Sequence, residues 1–332
     1  MPWKGESDPY RIWLSEIILQ QTRVEQGLAY YEKFIADFPS ILDLANAPEK
    51  EIFKYWEGLG YYSRCRNLIA TAKKIAFEFN GQFPSSYNEI LKLPGVGPYT
   101  AAAISSFAFG LPYAVVDGNV ERVIARYFGI NEPVGTAAGK KLFKGIVDNL
   151  LDLKRPAAFN QAIMDFGATV CKPRNPICDS CVQAKNCVAF QKGLTNKLPL
   201  KKPSVSRKER CLYYFIVYSG NNKVWIRERT EKDIWQNLFE FVLLETGKII
   251  PQKKLHQTTF FKNHFGNSAV QIEHISPALR QTLTHQLITC HFVQLNKPIS
   301  KLVGYQSVPR KQLKEYPFPK IITDYLKILS PH

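Results

Sequence analysis

Four cysteines fall within seventeen residues, spaced Cys171-x6-Cys178-x2-Cys181-x5-Cys187, and no other feature constrains the chain as tightly. The other three, Cys65, Cys211 and Cys290, are scattered. That distribution argues against a disulfide framework and for a metal site in a reducing compartment. Four thiolates in a short loop interrupted by Pro173 and Pro176 can wrap one compact iron–sulfur centre or a zinc ion. Zinc ribbons usually pair two separated Cys-x2-Cys knuckles, and this loop has one. Lys172, Arg174 and Lys185 within it could face phosphates.

The loop ends a region, residues 8–190, whose apolar residues recur at helical spacing. The pattern predicts helices near 10–21, 24–36, 49–57, 64–79, 86–92, 98–109, 118–128, 139–150 and 156–168, with breaks marked by Gly58, Gly60, Gly81 and Pro84. Residues 191–210 are basic, contain proline and lack aromatics, which reads as a linker. Beyond it, Cys211–Ser219, Lys223–Glu228, Phe239–Leu244 and Gln286–Leu295 read as strands, Gly220-Asn221-Asn222 as a turn, and 319–329 as a closing helix. The expected organisation is a mostly α N-terminal domain (1–190), a basic linker (191–210) and an α+β C-terminal domain (211–332).

Charge is unevenly placed. Residues 1–190 hold 21 Lys and Arg against 19 Asp and Glu; residues 191–332 hold 23 against 9. A net charge of +16 suits a polyanionic partner. The N-terminus has no apolar signal core, and no stretch reaches the length of a membrane span. The expectation is an intracellular, cytoplasmic protein, nucleoid-associated if bacterial, acting as a monomer and without a membrane partner.

Two further motifs precede the cysteines. Leu93-Pro94-Gly95-Val96-Gly97 separates two helical runs. Gly95 and Gly97 permit a tight turn and close approach of backbone to a ligand, and Pro98 suits the first helical position. Amides exposed at that helix start suit a DNA phosphate. Asp117, in Val115-Val116-Asp117-Gly118-Asn119-Val120, ends an apolar run before the next helix. Aspartate is a favoured N-cap, and capping does not preclude chemistry. Near the N-terminus, Glu16 lies in the almost wholly apolar run Tyr10–Thr22, where burial favours the protonated carboxyl of a general acid.

The hairpin, the aspartate and the x6-x2-x5 cysteines, in that order, resemble the endonuclease III-like helix-hairpin-helix glycosylase superfamily. The run from Tyr10 to Gln20-Gln21-Thr22 and the segment Gly58-Leu59-Gly60-Tyr61-Tyr62-Ser63-Arg64 resemble adenine DNA glycosylases of the MutY family. The resemblance implies a [4Fe–4S] cluster on the four cysteines. It also implies removal of adenine mispaired with 8-oxoguanine or guanine in double-stranded DNA, as part of base excision repair. Glu16 would protonate the base and Asp117 would stabilise the sugar cation, with Tyr99 and Asn119 beside them. Gln20 or Gln21 and Tyr61 would be wedges around 8-oxoguanine. Bifunctional members carry a lysine nucleophile where Tyr99 stands, so hydrolysis without Schiff-base strand cleavage is expected.

Trp235-Gln236-Asn237-Leu238-Phe239-Glu240-Phe241 resembles the family's Nudix-like region, here without a glutamate-rich catalytic helix. The C-terminal domain is therefore expected to read the lesion rather than hydrolyse nucleotides. Where the family has Phe-Ser-His, this chain has Leu283-Thr284-His285, which keeps a hydroxyl and the histidine. The chain begins at Met1-Pro2-Trp3, where the family normally has a further helix before Leu-Pro-Trp. Two other readings compete. A bifunctional pyrimidine-lesion glycosylase is opposed by Tyr99, and a non-catalytic DNA-binding cluster protein by Glu16 and Asp117.

Overall fold

The computed structural model describes residues 5–202, 206–220, 222–266 and 270–329. Met1-Pro2-Trp3 and Asn221 of the expected turn lie outside them. The chain divides into two compact units, residues 1–46 with 66–204, and residues 47–65 with 205–332.

The first unit is helical, and its helices start and stop where the local chemistry directs. Asp8 caps helix Pro9–Leu19 by accepting from Tyr10 N at 2.8 Å, and Pro9 occupies the first turn, where no amide is needed. Ile12, Trp13, Leu14, Ile17 and Ile18 of this helix are buried. Its neighbour, Pro98–Phe109, buries Ala101, Ala102, Ala103, Ser105 and Ser106, small residues that let helices approach closely. Gly110 ends that helix at φ 63°, a left-handed conformation glycine adopts without strain. Helix Gly118–Phe128 packs with Ala137–Leu150 and Pro156–Thr169 around Val120, Ile124, Phe143 and Val147. Each such side chain contributes about 1.5–3 kcal/mol by leaving water.

Helices Ile41–Asn46 and Val188–Gln191 escape the periodicity because one or two turns are too short to show it. The stretch read as a linker is only partly one. Leu198 is buried, its carbonyl accepts from Arg126 Nε at 3.0 Å, and Leu200 O accepts from Val134 N at 2.9 Å. Apolar Leu198 and Leu200, set among lysines, anchor it to the helical unit. Residues 203–205 lie outside the described ones.

The second unit contains β1 (Lys208–Ile216), β2 (Tyr218–Gly220), β3 (Lys223–Glu228), β4 (Phe239–Glu240), β5 (Val242–Thr246), β6 (Ile272–Ile275), β7 (Leu279–Thr282), β8 (Gln286–Leu295) and β9 (Gln306–Pro309). One sheet has the order β5-β1-β8-β6, with β7 also on β8; the other is β2-β3-β4, with β9 on β3. Strands β1 and β8 run parallel, Lys208 opposite Gln286 through Ile216 opposite Gln294. From Arg210 to Ile216 the strand β1 is buried, as a strand covered on both faces must be. On one face Tyr213 and Phe215 pack with Phe261 and Phe265. On the other, Tyr214 stacks on Phe292, which stacks on Tyr325 of helix Lys320–Leu329 at 3.7 Å.

Residues 47–65 join this unit through specific bonds. The Glu57 carboxylate accepts from Phe318 N at 3.0 Å and Thr323 Oγ1 at 3.2 Å, satisfying groups at the start of the last helix. Lys50 Nζ sits 3.4 Å from the centre of the Tyr316 ring.

Candidate active site

Within the helical unit, Glu16, Gln20, Gln21, Tyr99, Asp117 and Asn119 line one cavity of roughly 850 Å3. Helix Pro9–Leu19 supplies Glu16, helix Pro98–Phe109 supplies Tyr99, and Asp117 caps helix Gly118–Phe128. Glu16 opens on the cavity while its carboxyl is enclosed by protein. Burial pushes that carboxyl up to about 7, and the charge of Asp117 pushes the same way. A hydrogen bond from the Tyr99 hydroxyl opposes them. The Tyr99 phenol is itself held well above its usual value by burial and by the two carboxylates, so it stays a donor.

Asp117 is fixed on both oxygens. Oδ1 accepts from Asn119 N at 2.9 Å and Val120 N at 2.8 Å, and Oδ2 accepts from Asn119 Nδ2 at 2.7 Å. One cavity thus joins a carboxyl pushed up by burial to a second one fixed by three donors. Gln20 Nε2 donates to Thr100 Oγ1 at 3.2 Å, and Gln21, at φ 57°, is exposed.

Sequence reasoning missed what holds Asn119. The Arg122 guanidinium donates to Asn119 Oδ1 (2.8 Å), Gly167 O (2.7 Å), Gly118 O (3.2 Å) and Cys171 O (2.8 Å). One turn on, Arg126 Nη1 lies 3.4 Å from Cys171 Sγ and donates to Lys172 O at 2.8 Å. Both arginines are buried. Two arginines four apart on an otherwise apolar helix face, shortly before the cysteine loop, were the available signal.

Cys171, Cys178, Cys181 and Cys187 line one cavity, walled by Val123, Phe166, Val170 and Ile177. Among the described residues no His, Cys, Asp or Glu group converges tightly enough for a single metal ion. Four thiols thus share one apolar cavity, with Arg126 against one sulfur, and four thiolates are a ligand set that suits a metal centre.

In the hairpin, Gly95 has φ 73°, and a Cβ there would come within 2.6 Å of Asn67, so only glycine fits without a shift. Gly97 has open space where a side chain would stand, so packing within the protein does not demand it.

The other sequence-predicted residues lie in the second unit. Tyr61, exposed and at φ 48°, has its hydroxyl 2.7 Å from Thr284 Oγ1, which bridges 223 positions of sequence. Thr284 and His285 are exposed at the β7–β8 turn. Arg207 Nε donates to Leu283 O at 3.1 Å, and Lys208 N donates to His285 O at 2.9 Å.

The chain is similar to known proteins along most of its length. Residues 14–146 match the HhH-GPD superfamily of base excision DNA repair proteins, and residues 213–327 match the NUDIX domain. The adenine DNA glycosylase of Buchnera aphidicola subsp. Schizaphis graminum (strain Sg) is 33% identical over 91% of this chain and 93% of that protein. The adenine DNA glycosylase of Homo sapiens is 41% identical over 58% of this chain and 37% of that protein. Among solved structures, a thermostable thymine-DNA glycosylase has a TM-score of 0.52 at 33% identity, covering 58% of this chain and 88% of that one. An endonuclease III in a non-covalent DNA complex has a TM-score of 0.51 at 23% identity, covering 57% of this chain and 87% of that one, and shares the fold. The chain is a member of the adenine DNA glycosylase family, with a helical HhH-GPD domain and a Nudix-like domain rich in strands.

Proposed function

We propose that this protein hydrolyses the N-glycosidic bond of adenine opposite 8-oxoguanine, or guanine, in duplex DNA. Its family makes it a base-excision DNA glycosylase acting on adenine. The observation that carries the mechanism is the pairing, in one cavity, of Glu16, whose carboxyl burial pushes up to about 7, with Asp117, whose two oxygens are fixed by three donors. After the adenine is flipped out of the helix, protonated Glu16 donates to the base and makes it a neutral leaving group. Asp117, fixed in place by three donors, faces the cationic sugar. Water then completes hydrolysis, the two-carboxylate logic of glycoside cleavage. Tyr99 donates to Glu16 and tempers its rise. With Tyr99 after the hairpin, no lysine there can form a Schiff base.

Cys171, Cys178, Cys181 and Cys187 would hold a [4Fe–4S] cluster. When bound, it supplies a thiolate-ligated cross-link that closes the loop following helix Pro156–Thr169. The hairpin at Gly95 and Gly97 would grip phosphate. Gln20, Gln21, Tyr61, Thr284 and His285 would meet the lesion-bearing helix. Among the described residues no helix is long and apolar enough to cross a membrane; we place the protein, as a monomer, in the compartment that holds DNA.

The test is single-turnover base release on a panel of mismatched and lesion duplexes, with borohydride trapping. Adenine release opposite 8-oxoguanine without a trapped adduct is expected. Pyrimidine-lesion release with efficient trapping would establish the bifunctional alternative, and tight binding with no release the non-catalytic one. Iron analysis of anaerobically purified protein should give about four irons per chain; one zinc and no iron would refute the cluster.

A further inference from the structure

The second unit carries a cleft apart from the Tyr61–Thr284 contact. It lies on the sheet face opposite helix Lys320–Leu329, and its volume is roughly 710 Å3. The floor is apolar. Phe261, Phe265 and Val270 are buried there and continue into the core under Tyr213 and Phe215. The rim is basic: Lys253 and Lys262 line it, with the imidazole of His256 and the amide of Gln271, and among the described residues no carboxylate does.

This charge is uncompensated. Between Glu245 and Glu273 the sequence has four lysines and two histidines, and no aspartate or glutamate. Among the described residues neither Lys253 nor Lys262 forms an ion pair. The arginines of the same unit contrast with them: Arg210 pairs with Asp233 and Glu245, Arg227 with Glu231 and Glu240, and Arg229 with Asp233 and Glu240. Where positive charge serves the fold it is matched by carboxylates; around the cleft it is left available.

An apolar floor under two unpaired lysines selects a ligand with an uncharged body and concentrated negative charge. Concave sites of about 300–1,000 Å3 suit small molecules, whereas a run of duplex phosphates is met by an extended strip. With no carboxylate in the rim, ammonium groups would meet the phosphate charge directly, without a bridging divalent cation. We propose that this cleft binds a phosphorylated small molecule of nucleotide size, in a site separate from the glycosylase cavity.

The experiment titrates the full chain, in EDTA, with inorganic pyrophosphate and with thymidine diphosphate, whose pyrimidine does not suit an adenine cavity, by calorimetry. Saturable submillimolar binding of at least one probe is expected. Lys253→Gln with Lys262→Gln should weaken it about tenfold or more, as removal of two charge-assisted contacts implies, while Lys223→Gln on β3 should not. A thermal melt checks that the double variant folds, since both lysines are exposed. Absence of saturable binding of either probe at millimolar concentration overturns the proposal. So does equal binding by the wild type and a folded double variant. If neither probe binds but the double variant loses duplex affinity, the lysines contact the DNA backbone and the small-ligand site is refuted.

Discussion

Asp117 and Thr284 are both proposed to face DNA, and the protein holds them in opposite ways. Asp117 accepts three hydrogen bonds, its partner Asn119 is gripped by Arg122, and Arg122 spends its other donors on three further acceptors in a buried setting. Thr284 is exposed, and the structure gives its side chain one partner, a tyrosine hydroxyl that is itself exposed. Groups that act on a transition state must be held within a fraction of an ångström by their surroundings. Groups that read a surface can be completed by the ligand. Substitutions should therefore cost much in the helical unit and little in the strand-rich one.

The largest effect is expected at the two carboxylates. Glu16→Gln keeps the size and the bond from Tyr99 but removes the proton, and Asp117→Asn keeps a good N-cap but removes the charge. Each should slow base release ~100- to 10,000-fold, the usual weight of general acid help, with duplex affinity largely kept. Single-turnover rates beside equilibrium binding separate the two. Near-normal release by either variant would mean that the chemistry belongs to another group.

Next comes Arg122. Arg122→Ala strands Asn119 Oδ1 and the Gly167 carbonyl in a buried site, at about 1–3 kcal/mol for each unsatisfied group, and leaves Cys171 O with only its 3.5 Å bond from Arg126 Nη1. A total loss of ~3 kcal/mol or more in denaturant melts is expected, with slower base release because Asn119 no longer steadies Asp117. Arg207→Ala, which removes an exposed bond to Leu283 O, should cost under ~1 kcal/mol. Equal losses from the two would break the comparison.

The same contrast explains what the sequence made legible. Helix starts at Pro98 and Asp117 were readable because the signals of a first turn are local chemistry, whereas the Asp8 cap of the helix expected near 10–21 emerges only in the structure. Glu16 stood out because a carboxyl in an apolar run is a local anomaly. The cysteines were readable from spacing alone. Arg122 was not, because its partners lie up to 49 positions away. Nor was the allegiance of residues 47–65, which look like any other helical segment until Glu57 meets Phe318 and Thr323. Strands β6 and β7, at four residues each, carry too little alternation to register, and β1 begins inside a basic run, Lys208-Glu209-Arg210, that reads as linker. Arg210 is in fact buried and paired with Asp233 and Glu245 from elsewhere in the chain.

A smaller effect lies in pH. Glu16 is raised from 4.5 to about 7. Below 4.5 it is neutral whether the chain is folded or not; as pH rises through about 7 the folded protein must ionise it in an enclosed site. Stability that depends on the neutral form is thus present in acid and lost by pH 8. At about 1.4 kcal/mol per pH unit, reduced for the partial exposure of the residue, the loss is ~2–3 kcal/mol. Glu16→Gln cannot ionise, so it should gain on the wild type by that amount between pH 4 and pH 8 in paired denaturant melts. A constant difference between the two proteins would show that the carboxyl titrates normally. Base release by the wild type should also decline through about pH 7, since the acid must carry its proton.

The smallest effect is expected at Tyr61, Thr284 and His285, and it tests whether the exposed residues work together. The hydroxyls of Tyr61 and Thr284 already share one hydrogen bond, and either can donate. The lesion differs from guanine at C8 and N7, positions that short polar groups can reach. Replacing Thr284 and His285 by Ala should therefore shrink the preference for adenine opposite 8-oxoguanine over adenine opposite guanine, by roughly 1–3 kcal/mol if base-edge readout is the guide. Within that loss, Tyr61→Phe and Thr284→Ala each break the same bond, so the second should add little to the first. A double-mutant cycle on the preference should give a coupling of about 0.5–1 kcal/mol, the ordinary worth of an accessible hydrogen bond. Strict additivity would mean that Tyr61 and Thr284 meet the DNA independently and that their contact is incidental. An unchanged preference in the Thr284, His285 double variant would move lesion reading to Gln20, Gln21 and Tyr61. Recognition would then no longer rest with the β7–β8 turn, and the division of labour drawn from Asp117 and Thr284 would fail.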